Sequence, residues 1–404
     1  MKLLFLGSFY CPEITSEIQS QMDLRYYQNA PNVFQLSLLN GFHDNKTHID
    51  FLSVPAIPCW PMRYRKTYVN NKTSKINYYS KGESIKFNTI IFIKELSILL
   101  RLTSKIYKWA KNHKNEEKKI IIYSTDPIQM RSAWLVKKLF PNIKICVIVT
   151  ELPEYATHIL NIRPFLKHIQ AIIIKNSVHR LYKRMDFFVL LTEQMKSKIP
   201  IHSKPYCIME GLYSESDYNY IENNKFKNPT IFYSGTLQPF SSVDFLIKTF
   251  LELKNPNYRL IICGSGKLME LVRSAAAKDA RIKYIGQVNR EEVLVYQRKS
   301  TLLINPRQPN NGLTRYTFPS KTMEYMASGT PLLMYELEGI AKEYFNYCYT
   351  LDDLSPEALK NTLVNILSKS NEELSIKGRL AREFIINQKS SKVQVKKILD
   401  LINQ

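Results

Sequence analysis

The sequence predicts an α/β protein of two doubly wound domains facing across a cleft. Three observations lead there. Short β-type runs alternate with longer helical stretches along all 404 residues. Several of these runs, KIIIY (119–123) and IKICVIV (143–149) among them, are apolar without alternation, as strands buried on both faces of a parallel sheet are. The pattern also restarts in mid-chain: Gly7 closes the first strand, and Gly235 closes a similar one, TIFYSG.

Candidate strands, in order, are residues 2–6, 48–54, 119–123, 143–149, 187–191, 205–209, 230–233, 258–263, 282–284, 301–304 and 332–335. Between them lie two long basic amphipathic segments, 95–118 and 163–185, whose apolar face suits a core or a membrane interface. The chain turns polar and irregular over 196–229, and nine of the 12 glycines lie beyond residue 200. We therefore expect one domain over 1–205, a second over 206–385, and a last helix over 386–404. Ligands of such sheets sit at the carboxyl ends of the strands.

Lys plus Arg is 57 against 35 Asp plus Glu, a net charge of +22. That balance calls for an anionic partner: a phosphate-bearing substrate, an anionic membrane face or nucleic acid. The cations are spread along the chain and no zinc-finger, RNA-binding or helix-turn-helix signature occurs, which argues against nucleic acid. The six cysteines are scattered, form no C-x-x-C pair, and suit a reducing compartment. None of the seven histidines has metal-ligand spacing, so no metal and no cofactor is expected. No apolar run approaches the roughly 18 residues of a membrane span. MKLLFLGSFYCPE reads as a buried strand rather than a signal peptide, so a cytoplasmic location is expected.

RYTFPSKTMEYMASGTP (315–331) is the most informative stretch. Pro319 suits the first helical position, and Gly329 suits a left-handed cap with Pro331 beyond. A helix over 319–328 would open with free N–H groups, the Ser320 hydroxyl and the Lys321 ammonium, a phosphate-binding arrangement. Glu324, one turn beyond Ser320, is placed to accept two hydrogen bonds from a ribose diol. Together these would hold a nucleoside diphosphate. YSGTL (233–237) adds a glycine turn where Gly235 admits a ligand to the backbone of Thr236 and Leu237. CGSG, with Gly264, is a second strand end; YIGQV, with Gln287 and Val288, is a third, suited to the edge of a base; Arg307 follows a fourth.

The order YSGTL, LIICGSG, IKYIGQV, LLINPR and FPSKTMEYMASGTP resembles the nucleotide-sugar-binding half of GT-B glycosyltransferases of the retaining group 1 type. LFLGSFY, PNVFQLSLLNGF, YSTDPIQM, VIVTELPEY and VLLTEQM in the first half are similar to that group's exopolysaccharide branch. The resemblance implies two Rossmann-like domains, an acceptor-binding one and a donor-binding one, with the last helix crossing back to the first. It implies transfer of a hexose-type sugar from a UDP- or GDP-sugar to a lipid-linked or polysaccharide acceptor, with retention and without a metal, at the inner face of the membrane. Donor contacts carried over are Gly7, Gly235, Thr236, Leu237, Gly264, Gln287, Val288, Arg307, Tyr316, Phe318, Pro319, Ser320, Lys321 and Glu324. Catalytic candidates are Asp126, Glu151 and Lys321; Glu154 and His158 are weighed beside them on the acceptor side. A nucleotide-sugar epimerase of the same fold is the alternative enzyme, and a basic nucleic-acid binder the alternative without activity.

Three departures from the family pattern stand out. Tyr316 occupies the place of the first of two glutamates, eight residues before Glu324. Thr236 follows Gly235, and Phe240-Ser241 stand where the group has a lysine. Lys321, Arg307 and Arg315 are then the cations left to meet a diphosphate.

Overall fold

The structure, a computed structural model, describes the chain apart from residues 24, 25, 124, 154–163, 202, 214–223, 310, 311, 313 and 352 and the side chains of 164–171. The chain forms two compact units. Unit 1 is Met1–Ser214 with Ser391–Gln404, and unit 2 is Glu215–Ser390. The expected divisions, after 205 and 385, fall a few residues earlier than these.

Unit 1 runs β1 (Lys2–Gly7), α1 (Pro12–Gln21), α2 (Asn29–Asp44), β2 (Ile49–Ser53), β3 (Tyr68–Val69), β4 (Lys72–Asn77), β5 (Ser80–Ser84), β6 (Phe87–Asn88), α3 (Ile93–Asn112), β7 (Lys118–Tyr123), α4 (Pro127–Leu139), β8 (Ile143–Val149), α5 (Pro164–Tyr182), β9 (Phe187–Leu190) and β10 (Tyr206–Ile208). Eight strands form one sheet in the order β10-β9-β8-β7-β1-β2-β5-β4. All neighbours are parallel except β4 and β5. Ile120, Ile121 and Ile122 are fully buried, as a central strand covered on both faces requires.

Two lysines in β7 are buried as well, and each has a physical reason. Lys118 Nζ donates to the carbonyls of His113 (2.8 Å), Lys114 (3.2 Å) and Glu116 (2.8 Å), closing the end of α3. Lys119 Nζ donates to the Ile402 carbonyl and pairs with Glu117 at 3.0 Å. The basic segment 95–118 therefore divides: its helix ends at Asn112, and Lys118 belongs to the strand.

Unit 2 runs β11 (Thr230–Ser234), α6 (Val243–Leu251), β12 (Arg259–Cys263), α7 (Met269–Lys278), β13 (Ile282–Tyr284), α8 (Arg290–Lys299), β14 (Leu302–Asn305), α9 (Ser320–Ala327), β15 (Leu332–Tyr335), β16 (Tyr349–Leu351), α10 (Pro356–Leu367) and α11 (Asn371–Lys389). Its six strands are all parallel, in the order β13-β12-β11-β14-β15-β16. The chain builds outward from β11 on one side, then crosses to β14 on the other. That crossing is the topological switch point, where doubly wound sheets open a crevice.

A last helix, α12 (Ser391–Ile402), belongs to unit 1 and lies on α2. A Cβ on Gly41 of α2 would come within 2.5 Å of the Ser391 carbonyl, so only glycine permits that approach. Ser391 N and Oγ both donate to Tyr213 O at 2.7 Å, and Gln394 Nε2 donates to Glu210 at 2.9 Å. The helix expected over 386–404 is thus two elements, because 386–389 complete α11.

Five strands have no counterpart among the expected ones: β3 to β6 and β16. Residues 68–88 are polar and half-exposed, so they carry no apolar run. Gly82 marks the place all the same: a Cβ there would lie 2.0 Å from the Phe51 carbonyl across the β2–β5 pair.

Candidate nucleotide-binding site

In unit 2 the carboxyl ends of β11, β12, β13 and β14 and the start of α9 gather at one rim. α9 begins at Ser320, with Pro319 as its N-cap (φ −70°, ψ 104°) rather than its first helical residue. The reason is local: Thr322 N donates to Pro319 O at 2.9 Å, a tight first turn. Gly329 has φ +77°, the left-handed stop that the sequence leads one to expect. Ser320 is exposed at the helix entrance.

Lys321 reaches from that first turn to the end of β11. Its ammonium donates to the Ser234 carbonyl and lies 5.2 Å from the centre of the Tyr233 ring. Burial lowers its pKa to about 8, against the opposing charges of Glu324 and Cys263. A Cβ on Gly235 would sit 1.7 Å from Lys321 Nζ. The missing side chain of Gly235 thus makes room for the ammonium, beside the ligand approach to the backbone of Thr236 and Leu237 that the sequence suggests. Tyr325, one turn further along α9, anchors the same carbonyl: its hydroxyl donates to Ser234 O (3.0 Å) and accepts from Ser234 N (2.8 Å).

The second cation comes from β14. Arg307 is half-buried, with its guanidinium carbon 5.8 Å from the centre of the Phe240 ring and its charge beside Tyr233. Burial lowers its pKa. Phe240, at the place where a lysine was expected, therefore carries an arginine delivered by another strand. Lys321 and Arg307 flank one tyrosine, whose hydroxyl burial pushes up to about 12. Arg315 is differently placed: it pairs with Glu338 at 3.1 Å near the surface.

The glycine turns fit backbone to backbone. Gly264 has φ +137°, and a Cβ there would fall 1.7 Å from the Gly235 carbonyl oxygen. Gly264 N donates to Gly286 O (2.8 Å), and its carbonyl accepts from the Tyr284 hydroxyl (2.7 Å). Leu237 N donates to Ser265 O (2.9 Å), and Leu237 O accepts from Leu268 N (2.8 Å). The main chains of Leu237 and Gly264 are thus engaged within the fold, and both serve to lock strand ends together. Thr236 is exposed beside them, its carbonyl accepting from the Tyr233 hydroxyl at 2.9 Å. Gln287 is exposed, its Oε1 accepting from Ser265 Oγ at 3.3 Å, and the Val288 backbone bonds the Cys263 thiol.

Glu324 is aligned by a neighbour that the sequence does not reveal. Gln297, fully buried on α8, donates through Nε2 to Glu324 Oε1 at 2.6 Å. Tyr316 and Phe318, expected at the donor, are both buried at 8% exposure. The Phe318 ring centre lies 5.4 Å from that of Tyr344, so the ring faces the interior of unit 2.

The remaining expected residues belong to unit 1. Gly7 ends β1 and is enclosed: a Cβ there would meet Gln35 Oε1 at 2.7 Å and the Phe5 and Phe9 rings at 2.9 Å. Asp126 caps α4, accepting from Ile128 N at 2.8 Å, and burial raises its carboxyl pKa. Lys94, whose ammonium donates to the Ile57 carbonyl, opposes that rise. Glu151 follows β8 and is exposed near Tyr123. Glu154 and His158 lie outside the described residues. Among the described residues no three His, Cys, Asp or Glu side chains cluster to hold a metal.

Residues 228–369, which contain every unit 2 residue of this rim, match the family described as glycosyl transferases group 1. No curated protein sequence matches the chain. Solved structures match along its whole length. Sucrose-phosphate synthase from Thermosynechococcus elongatus has a TM-score of 0.67 at 12% identity, over 100% of this chain and 99% of that one. Lipopolysaccharide outer core galactosyltransferase WaaB, in its apo form, has 0.62 at 13%, with the same coverage. A structure described as trehalose-6-phosphate from E. coli bound with UDP-2-fluoro glucose has 0.68 at 11%, again over 100% and 99%. The fold is GT-B, an α/β architecture with parallel sheets. The match of residues 228–369 to the group 1 family supports an enzyme of the glycosyltransferase class.

Proposed function

We propose that the chain moves a hexose-type sugar from a UDP- or GDP-sugar to a hydroxyl of a lipid-linked or polysaccharide acceptor, with retention of configuration and without a metal. The observation that carries this reading is the convergence of Lys321 and Arg307 on the end of β11, beside the first turn of α9. Two cations and a helix N-terminus at a switch point suit a diphosphate, and they would stabilise the charge that grows on it as the sugar leaves. Glu324, aligned by Gln297, takes the ribose diol. The neighbour bound to UDP-2-fluoro glucose supports a nucleotide-sugar donor, and the galactosyltransferase of lipopolysaccharide outer core supports a saccharide acceptor.

Unit 1 receives the acceptor in this reading. Asp126, with its raised carboxyl pKa, serves the acceptor hydroxyl, and Glu151, after β8, is the second candidate carboxylate. The start of α3 supports contact with a membrane surface: Phe92, Ile93, Leu96 and Leu100 are 95%, 50%, 56% and 62% exposed, next to Arg101. The site of action is then the inner face of the membrane.

A panel of nucleotides and nucleotide sugars, scored by thermal shift, tests the donor. A ligand at 100 times its dissociation constant adds about 2.7 kcal/mol. If no UDP- or GDP-linked sugar stabilises the protein, the reading fails.

A further inference from the structure

Unit 1 holds a second gathering of cations, far along the sequence from the rim of unit 2. A groove between α4 and α5 encloses about 570 Å³. Arg131 and Trp134 line it from α4, and Ser177, Arg180, Lys183 and Arg184 line it from α5 and the turn that follows. The spacing explains the convergence. Positions 131, 134 and 138 recur along one face of α4, and 177, 180 and 184 along one face of the other segment.

No described carboxylate pairs with Arg131, Arg180, Lys183 or Arg184. The nearby Asp186 is already engaged: Lys137 at 2.5 Å, Ile145 N at 2.7 Å and Lys144 at 3.8 Å hold it. The negative end of α5 is answered too. Lys204 Nζ donates to the carbonyls of Tyr182 (3.2 Å), Lys183 (2.8 Å) and Met185 (2.6 Å). Burial lowers the pKa of Lys204, and the charges of Lys137 and Arg184 lower it further. Trp134 lines the groove with two cations over its ring, Lys138 Nζ 4.0 Å and the Arg184 guanidinium carbon 5.6 Å from the ring centre.

We infer that this groove binds a phosphate-bearing group. Arginine forks match phosphate oxygens in pairs, and an anion between these side chains would relieve their mutual repulsion. Ile173, 63% exposed, continues the 177, 180, 184 face. That continuation suits a phosphate attached to an apolar chain, so the source is either a lipid headgroup or a soluble phosphate. The inference does not depend on the sugar-transfer reading.

Trp134 is one of three tryptophans, and its fluorescence reports on the groove directly. The signal is the wild-type emission minus that of Trp134→Phe. Two arms are run on the full chain: titration with inorganic pyrophosphate, and titration with vesicles of phosphatidylcholine carrying phosphatidic acid. We expect a saturable change in at least one arm, weakened by about tenfold or more in Arg180→Gln/Arg184→Gln. The change should persist in Lys321→Met, which separates it from pyrophosphate held in unit 2. A response to pyrophosphate assigns a soluble phosphate, and a response to vesicles alone assigns a headgroup. No Trp134-dependent change in either arm, or a change that survives the double replacement, overturns the inference.

Discussion

The first strand of each unit ends in a glycine, yet the two ends are built differently. After Gly7, neutral amides from α2 satisfy the turn: Gln35 Oε1 accepts from Ser8 N at 2.7 Å, and Asn32 Oδ1 accepts from Tyr10 N at 2.9 Å. After Gly235, a lysine ammonium takes that place, with an arginine nearby and a second glycine turn pressed against the first. One architecture thus gives a neutral strand end in unit 1 and a positive one in unit 2. The difference teaches where an anionic donor belongs. Partly buried cations are costly unless an anion answers them, so a site that keeps Lys321 and Arg307 half-buried together suits a ligand that brings negative charge.

The largest expected effect breaks the glycine contact itself. Gly264→Ala would set a Cβ against the Gly235 carbonyl at a φ that favours glycine, so neither backbone can yield cheaply. Destabilisation of about 3 kcal/mol or more is expected, read by denaturant unfolding. Gly7→Ala meets only side chains, the Gln35 tip and the Phe5 and Phe9 rings, at a backbone conformation open to any residue, and should cost less than Gly264→Ala. Equal losses at the two positions would erase the contrast between the strand ends. Gly235→Ala collides with the Lys321 ammonium, which is also a side-chain tip. It should leave the fold intact and lower nucleoside diphosphate affinity, as removal of the ammonium would.

Next in size is a pH effect specific to unit 2. The pKa of Lys321 is about 8 without ligand, so its positive charge is lost as pH rises through that value. Nucleoside diphosphate affinity should fall by about tenfold per unit once pH passes the pKa of this group. In Lys321→Met that slope should vanish. The sign for stability is opposite. The lysine's folded pKa lies below its ordinary 10.5, so the burial penalty is fully present below about pH 8 and is relieved as pH rises towards 10.5. A wild-type affinity that is flat between pH 7 and 9 would remove Lys321 from the phosphates.

Smaller effects are expected in unit 1. Asp126→Ala should cost about 1 kcal/mol through the lost helix cap, whereas Asp126→Asn can keep the cap. If Asp126 also serves the acceptor, Asp126→Asn should slow sugar transfer while nucleotide binding stays unchanged. Unchanged transfer would confine Asp126 to capping. Smallest, and sensitive to lipid composition, is the loss of vesicle co-sedimentation on replacing Phe92 and Leu96 by serine. Retained sedimentation would shift the membrane contact elsewhere.

How much of this was legible in the sequence follows from what each signal depends on. The central strands were plain because burial on both faces writes a continuous apolar run, as in 119–123 and 143–149. The strands of 68–88 were hidden because they are short, polar and half-exposed. Ser320, Lys321, Glu324 and the Gly329 stop were readable as one helix, since capping and periodicity are local. Tertiary facts were not readable. Nothing in the spacing shows that Gln297 aligns Glu324, that Arg307 lies over Phe240, or that the absent Cβ of Gly235 accommodates Lys321. The inward turn of Phe318 was equally invisible, because the ring's destination depends on Tyr344, far along the chain.

The central claim, that the positive strand end of unit 2 holds a nucleoside diphosphate, is tested most directly by calorimetry. UDP, GDP, uridine and guanosine are titrated into the wild-type chain and into folded Lys321→Met. The account predicts that a diphosphate binds the wild type well above its nucleoside. It also predicts a drop of about tenfold or more for the diphosphate alone in the variant, the loss of one charge-assisted hydrogen bond or more. A wild-type chain that binds neither diphosphate, or a variant that binds as the wild type does, would contradict it.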